Sequence, residues 1–402
     1  MGDAAMKKLF WPLAIHSWGD AERKAAHAVI DGDRHVMGDR VQEFEWQFAK
    51  YVGAKYAVMT NSGSSANLVM ATVLKLSSAT LWENDRKYEV IVPAIAWSTT
   101  YSPFALLGCR LRVVDVNPYT LNADAIAVRA AITRDTVGIV GVSVLGNPAE
   151  LGTMNMVAKE VGLFFVEDNC ESLGAQIGSR LCGTIGRMGT FSTFFSHQLN
   201  TIEGGMLVTD DWELYKLALM VRAHGWDRDL PSTESRAGAA PYGYSYSFVV
   251  PGFNVRPTEL AAAVGLEQLK KLSQMNEQRR KNHRYFNELF LGEDQWWRIQ
   301  TCSAGAVPFG FVIVMPSLDA KNKVLRKLDA AGIEHRMVTG GSFSQHSAHR
   351  YYDWQTHMGT PNADHIHHCG FFVGNHPVDL SEQIAHLHHL ITYHLMTSER
   401  RE

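Results

Sequence analysis

Three short stretches of the chain combine residue types that could do chemistry. The first is Asn61-Ser62-Gly63-Ser64-Ser65, between the apolar run Tyr56–Met59 and a helical period through Leu68, Ala71 and Leu74. Hydroxyls and a glycine at a helix start converge backbone N–H groups and the helix dipole on one point, which suits a phosphate. A capped helix after a strand reads the same way, so the stretch needs support from elsewhere. The second is Phe164-Phe165-Val166-Glu167-Asp168-Asn169-Cys170-Glu171-Ser172, an apolar strand that delivers carboxylates at its C-terminal end, where ligands sit in open parallel sheets. Asp168 there could hold a proton on a heterocyclic nitrogen, or it could be a helix N-cap beside a solvated neighbour. The third runs from Gly189 to Met206 and joins an aromatic strand, a hydroxyl-rich bend and the turn Glu203-Gly204-Gly205.

On that third stretch the chain resembles the nucleotide-sugar aminotransferases, a family of fold type I pyridoxal phosphate enzymes. The family carries a serine, a lysine five residues on and Glu-Gly-Gly six residues after that. Ser192 and Glu203-Gly204-Gly205 match, but His197 stands at the lysine position, and no lysine lies between Lys159 and Lys216. A lysine holds the cofactor covalently and shuttles a proton; an imidazole only shuttles the proton. The chain is therefore similar to the lysine-less branch of the family, the sugar 3-dehydratases. Further segments that carry this resemblance are Ile91–Tyr101, Arg222-Ala223-His224-Gly225-Trp226, Pro251–Pro257 and Phe372–His376. Gln198 departs from the branch, where a second histidine is expected.

The resemblance implies pyridoxal or pyridoxamine phosphate bound without a covalent link. It implies Ser62, Gly63, Ser64 and Ser192 around the cofactor phosphate, Trp97 stacked on the pyridine and Asp168 on the ring nitrogen. Glu171 would face the ring hydroxyl, and Asn254 would reach the phosphate of a neighbouring subunit, which requires a homodimer. His197 would be the catalytic base, and its near-neutral titration suits it to take a proton and return it to a departing hydroxyl. His224 and Arg256 are substrate-side candidates; His224 reads equally as an ordinary histidine, and Asn254 and Arg256 as caps for the helix near Thr258. The implied substrates are a nucleotide-linked 4-keto-6-deoxyhexose and L-glutamate as amino donor. Guanine is expected by similarity, yet no residue separates GDP from CDP or dTDP. The rivals are an aminotransferase, which needs the missing lysine; an iron–sulfur dehydrase served by a reductase, which needs a C-x-C cluster motif; and a non-catalytic nucleotide-sugar binder, against which Asp168 and Glu171 speak.

These residues must be positioned by a large scaffold. The 402 residues, 46% hydrophobic, suffice for two or three domains with a packed core. Lys and Arg total 38 against 41 Asp and Glu, a formal charge of −3 without like-charge blocks, which gives no reason to invoke nucleic acid or an anionic membrane. The longest apolar run, Val137–Gly146, has strand length and is too short to span a bilayer. The N-terminal stretch lacks the pattern of an export signal, and five scattered cysteines read as free thiols of a cytoplasmic protein. Although 12 of the 18 histidines follow residue 330, those on Ser381–Leu395 share a helix whose Ile384, Leu387 and Ile391 make the buried stripe, no cysteine or paired carboxylate joins them, and no metal site is expected.

Helical periods alternate with β-branched runs from Asp20 onward, the pattern of a doubly wound, mostly parallel α/β domain. Helices are expected from Asp20 to Gly32, burying Ala25, Ala26 and Val29, and around Val41, Phe44 and Phe48. Strands are expected at Tyr56–Met59, Glu89–Val92, Arg112–Val116, Val137–Val144 and Phe164–Val166. The large cofactor domain covers 1–257. A smaller α+β domain over 258–402 comprises helices Thr258–Leu272 and Met275–Phe290 (the latter with Arg and Asn outward), strands Val307–Met315 and Ile333–Val338, and helices Lys321–Ala331 and Ser381–Leu395. The long loop Asp227–Tyr242 reads as a lid or arm.

Overall fold

The computed structural model describes residues 9–77, 88–230, 246–292 and 296–398; most of the expected loop, from 231 on, lies outside them. The helices are α1 (Asp20–Ile30), α2 (Asp39–Val52), α3 (Gly63–Ser77), α4 (Ser98–Leu106), α5 (Ala125–Ala131), α6 (Leu151–Glu160), α7 (Trp212–Arg222), α8 (Glu259–Phe290), α9 (Leu318–Ala331), α10 (Pro361–Cys369) and α11 (Ser381–Ser398). The strands are β1 (Tyr56–Thr60), β2 (Glu89–Pro93), β3 (Arg110–Val114), β4 (Thr136–Val142), β5 (Phe164–Asp168), the small hairpin β6 (Gln176–Ile177) and β7 (Arg180–Leu181), β8 (Met188–Ser192), β9 (Gly205–Thr209), β10 (Arg298–Ile299), β11 (Gly310–Val314), β12 (Trp354–Thr356) and β13 (Gly370–Gly374).

Eight strands form one sheet in the order β1-β9-β8-β5-β4-β2-β3-β12. Only β9 runs against the others. Such a sheet is covered on both faces, which explains why β2, β4 and β5 are buried along their whole length and polar only at their ends. Val90, Val92, Val140 and Val166 pack on one face with residues of α3, α4 and α7; Ile91, Ile139 and Phe165 pack on the other with α5 and α6. The chain is thus a mostly parallel doubly wound α/β protein, as its sequence pattern demands. A second sheet, β10-β11-β13, is antiparallel and packs with α9, α11 and the end of α8 around Phe286, Phe311 and Phe371.

The two parts are stitched together. β12, from the C-terminal part, adds a parallel strand to the outer edge of β3. In return Trp11, fully buried, packs into the core around Phe286, Phe311 and Phe371 and donates its indole N–H to Gly374 O at 2.9 Å.

Several elements differ from the sequence expectation. α8 is one continuous helix, because Ser273-Gln274 contains no breaker; Thr258 caps it by accepting from Ala261 N at 3.2 Å. Its Asn276, Arg279 and Asn282 face inward rather than outward: Asn276 donates to Leu173 O and Asn282 to His376 O. α1 is capped by Gly19, not Asp20, with Glu22 accepting from the Gly19 amide, and only Glu22 and Val29 are buried on it. β3 begins at Arg110, two residues early. Residues 333–338 form no strand: they make only the isolated bridges Trp11–Ile333 and Arg336–Phe372.

Candidate active site

Because the strands run parallel, their C-terminal ends share one edge of the sheet, and the three chemical stretches meet there. β1 ends into Ser62-Gly63-Ser64, β2 into Trp97, β4 into the turn at Leu145, β5 into Asp168 and β8 into Ser192. β9, running the other way, starts there at Gly205.

The start of α3 has the form of an anion cradle. Ser62 Oγ accepts from Ser65 N at 3.1 Å as a cap. The amides of Gly63 and Ser64 have no acceptor among the described residues, so they remain for an anion. A side chain at Gly63 is excluded, since a Cβ there would stand 2.7 Å from Ser192 Cβ and 2.8 Å from Cys170 Sγ. Ser64 Oγ is 2.9 Å from Thr99 Oγ1, which ties the cradle to the start of α4. Trp97, the residue before α4, is 55% exposed, so its indole is an open platform and not core.

Asp168 is buried and fixed from three sides. Its Oδ2 accepts from Asn67 Nδ2 at 2.8 Å and Thr100 Oγ1 at 2.7 Å, and its Oδ1 from Cys170 N at 3.1 Å. Thr190 Oγ1 in turn holds Asn67 Oδ1 at 2.5 Å. Glu167, next to Asp168, points to the other face and accepts from the amides of Gly183, Ile185 and Gly186. It is a structural anchor whose carboxyl burial pushes above its ordinary range. Glu171 is largely sequestered; burial, with Asp168 adding, raises its carboxyl to about 7, against the lowering effect of bonds from Leu145 N and Thr339 Oγ1.

His197 lies in the bend after β8, its ring 5.0 Å from that of Phe309 and 5.8 Å from that of Phe194. Burial, and then the Arg279 guanidinium, lower its imidazole to about 4, so the near-neutral titration expected from the sequence is not kept: the buried imidazolium loses solvation and is repelled by the guanidinium. Arg279 reaches up from α8 and its Nη2 lies 3.5 Å from His197 O. The buried Nδ1 of His197 has no partner among the described residues. Gln198 is buried and donates to Glu171 O at 2.6 Å, which joins the histidine bend to the carboxylate turn.

Asn254 and Arg256 bond to each other at 2.9 Å, and Asn254 is exposed; the helix cap is Thr258. Their strand of chain reaches the cradle by Asn61 N donating to Val255 O at 3.0 Å. His224 is exposed, holds a left-handed backbone at φ 66°, and donates its amide to Phe253 O. No hydrogen bond links its side chain to His197 among the described residues.

Sequence reasoning missed Asn67, Thr100, Thr339 and Arg279. Asn67 had a signal: it is a polar residue on the inward face of α3, among Ala66, Met70 and Val73. The others depend on long-range packing.

These residues fit a pyridoxal phosphate cofactor: an anion cradle that no Cβ could share, a rigidly held carboxylate for a pyridine nitrogen, an open indole, and a buried imidazole atom without a partner. Fold and site together define a fold type I pyridoxal phosphate enzyme. Residues 17–391 match the DegT/DnrJ/EryC1/StrS aminotransferase family, and the chain belongs to it. The chain is 41% identical over 394 residues to a GDP-4-keto-6-deoxy-D-mannose 3-dehydratase of Yersinia pseudotuberculosis, covering 96% of this chain and 100% of that protein. It is 33% identical to a dTDP-4-dehydro-2,6-dideoxy-D-glucose 3-dehydratase of Saccharopolyspora spinosa, with 89% and 83% covered. Among solved structures, an E. coli GDP-4-keto-6-deoxy-D-mannose-3-dehydratase with bound hydrated PLP superposes with a TM-score of 0.91 at 38% identity, covering 95% of this chain and 99% of that one. A GDP-4-keto-6-deoxymannose-3-dehydratase with a trapped PLP-glutamate geminal diamine gives 0.90 at 39%, with 95% and 100% covered.

Proposed function

We propose that the protein is a pyridoxamine phosphate-dependent 3-dehydratase of GDP-4-keto-6-deoxy-D-mannose. It removes the 3-hydroxyl to give the 3,6-dideoxy-4-keto sugar and ammonia, and L-glutamate restores the amino form of the cofactor. The observation that carries this reading is His197 at the lysine position, beside an intact Asp168 and Glu171. When bound, the cofactor supplies an amine for the ketosugar and a pyridine that withdraws electrons.

This chain's residues do the rest. The α3 start and Ser192 hold the phosphate, and Trp97 covers the ring. Asp168, kept in place by Asn67 and Thr100, holds a proton on the pyridine nitrogen. His197 is neutral at physiological pH, because burial and Arg279 both disfavour the imidazolium. It therefore acts as the base at the cofactor's C4′ position, and the same disfavoured charge makes it release the proton readily to the leaving hydroxyl. With no lysine at position 197 to return a proton to the sugar carbon, the nitrogen passed to the dehydrated sugar would be cut from it by water, leaving the ketone and ammonia.

The active form is a homodimer in the cytoplasm. In support, Asn254 is exposed, and Phe194, Phe195, Ile202 and Phe253 are exposed apolar residues beside it or beside His197 in the chain. Sedimentation of the purified protein tests the dimer. The activity is tested by incubation with pyridoxal phosphate, glutamate and GDP-4-keto-6-deoxy-D-mannose. Ammonia with a product lighter by one oxygen is expected. An amino sugar would make the protein an aminotransferase, and inertness toward both substrates would make it a non-catalytic binder.

A further inference from the structure

Two segments remote from the cofactor stretches converge on the Glu171 carboxylate. Its Oε2 accepts from Leu145 N at 2.8 Å and from Thr339 Oγ1 at 3.2 Å. Among the described residues no donor reaches Oε1. Both donors belong to residues with left-handed backbone, Leu145 at φ 51° and Thr339 at φ 48°. That region is unfavourable for leucine, and for β-branched threonine it is an outlier that persists only where the surroundings enforce it.

Here the surroundings do enforce it. A Cβ on Gly340 would stand 2.5 Å from Ala96 O, so the segment after Thr339 lies flat against the loop that carries Trp97. Phe343 N donates to Ala94 O at 2.8 Å, and Ser342 bridges Ile95. On the other side Leu145 O accepts from Phe309 N at 2.8 Å, and Phe309 is the ring that packs on His197. Strained backbone is thus spent on bringing two donors to one oxygen.

We propose that Thr339 is a positioning residue for Glu171: with Leu145 it saturates Oε2, so that the proton of the neutral acid is confined to Oε1, the oxygen left to the cofactor's ring hydroxyl. A carboxyl oxygen that accepts two hydrogen bonds has no room for a proton of its own. The proposal rests on the reading that Glu171 faces the cofactor. With the carboxyl at about 7, both protonation forms are populated near neutrality. The titratable groups facing it are Asp168 and the Cys170 thiol. The 143–147 turn and the 337–343 segment packed against it contain no charged side chain, and Gln198 is neutral.

The test uses pyridoxal phosphate-loaded protein and follows cofactor absorbance against pH, with melting temperature as a control. Thr339→Gly removes the hydroxyl while easing the left-handed backbone, so its melting temperature should equal or exceed that of the wild type. Thr339 stabilises the ionised carboxylate, so its loss should move the spectral midpoint upward from the wild-type value by roughly one pH unit. Thr339→Ser should restore it. An unmoved midpoint in Thr339→Gly, with the transition abolished in Glu171→Gln, would overturn the positioning role and leave the reading of Glu171 intact. A transition that survives Glu171→Gln would overturn both.

Discussion

Gly63 and Ser192, 129 positions apart in the chain, touch so closely that a Cβ added to the glycine would stand 2.7 Å from that of the serine. The contact brings the start of α3 against the end of β8, the two places proposed to hold the cofactor phosphate. Gly63→Ala should lower stability by about 1–3 kcal/mol through overpacking. Pyridoxal phosphate affinity should fall about tenfold or more, equivalent to 1.4 kcal/mol. A cofactor titration followed by tryptophan fluorescence, with Trp97 two residues from the Thr99 that meets Ser64 as a reporter, checks this, and an unchanged affinity would place the phosphate elsewhere.

His197 should be separable from cofactor binding. His197→Asn is expected to load pyridoxal phosphate normally and to lose about 100-fold to 10,000-fold in sugar turnover, the usual contribution of a positioned proton carrier. His197→Lys should capture the cofactor covalently, seen as a mass increase after borohydride reduction. Full turnover in either variant would show that another group moves the proton.

Glu171 makes stability depend on pH in a definite direction. Its folded pKa of about 7 exceeds the ordinary 4.5, so the native state binds more protons than the unfolded state between those values. Stability should fall as pH rises from 4.5 to 7 and then level off, by at most about 3 kcal/mol from this group. His197, His283 and His376, lowered to about 4, act in the opposite sense over this window, so the check is the difference between melting curves of wild-type and Glu171→Gln apoprotein, which should carry this decline. A difference that is flat across the window would mean that the carboxyl is not raised.

Glu167 makes the opposite case, a carboxylate beside the site without a part in its chemistry. Its oxygens accept from three backbone amides, at 2.6, 2.6 and 2.5 Å. Glu167→Gln would turn an NH2 toward amide donors and leave them unsatisfied, at a cost of about 2–4 kcal/mol. The melting temperature should drop while turnover per folded molecule stays near that of the wild type.

Much of this arrangement is legible in the sequence, because it depends on local pattern. Strand runs such as Phe164–Val166 and Val137–Val142 carry no charged residue because they are buried on both faces, and parallel strands place their ends together. The serines around Gly63, Asp168 and His197 therefore fall at one edge without any knowledge of contacts. What stays hidden is set by partners far away in the chain. α8 reads as two helices with a polar outer side, yet Asn276, Arg279 and Asn282 are polar because they tie down loops from both sheets. Residues 333–338 read as a strand, but beyond Arg336 the chain bends toward Ala94–Trp97 and leaves β13. Thr339 has no sequence signal at all, since its role depends on a left-handed backbone that its residue type disfavours.

The parallel strand that residues 354–356 lay against β3 means that the last third of the chain finishes the main sheet as well as building its own lobe. A gene cut at residue 257 would encode a protein with a raw edge, a row of unpaired amides and carbonyls inviting another copy to dock. With Trp11 lodged in the opposite lobe, the two ends of the polypeptide are interlocked like a buckle. The enzyme is thus a poor candidate for swapping its lobes between relatives and a better one for exchange of whole loops at the shared strand ends.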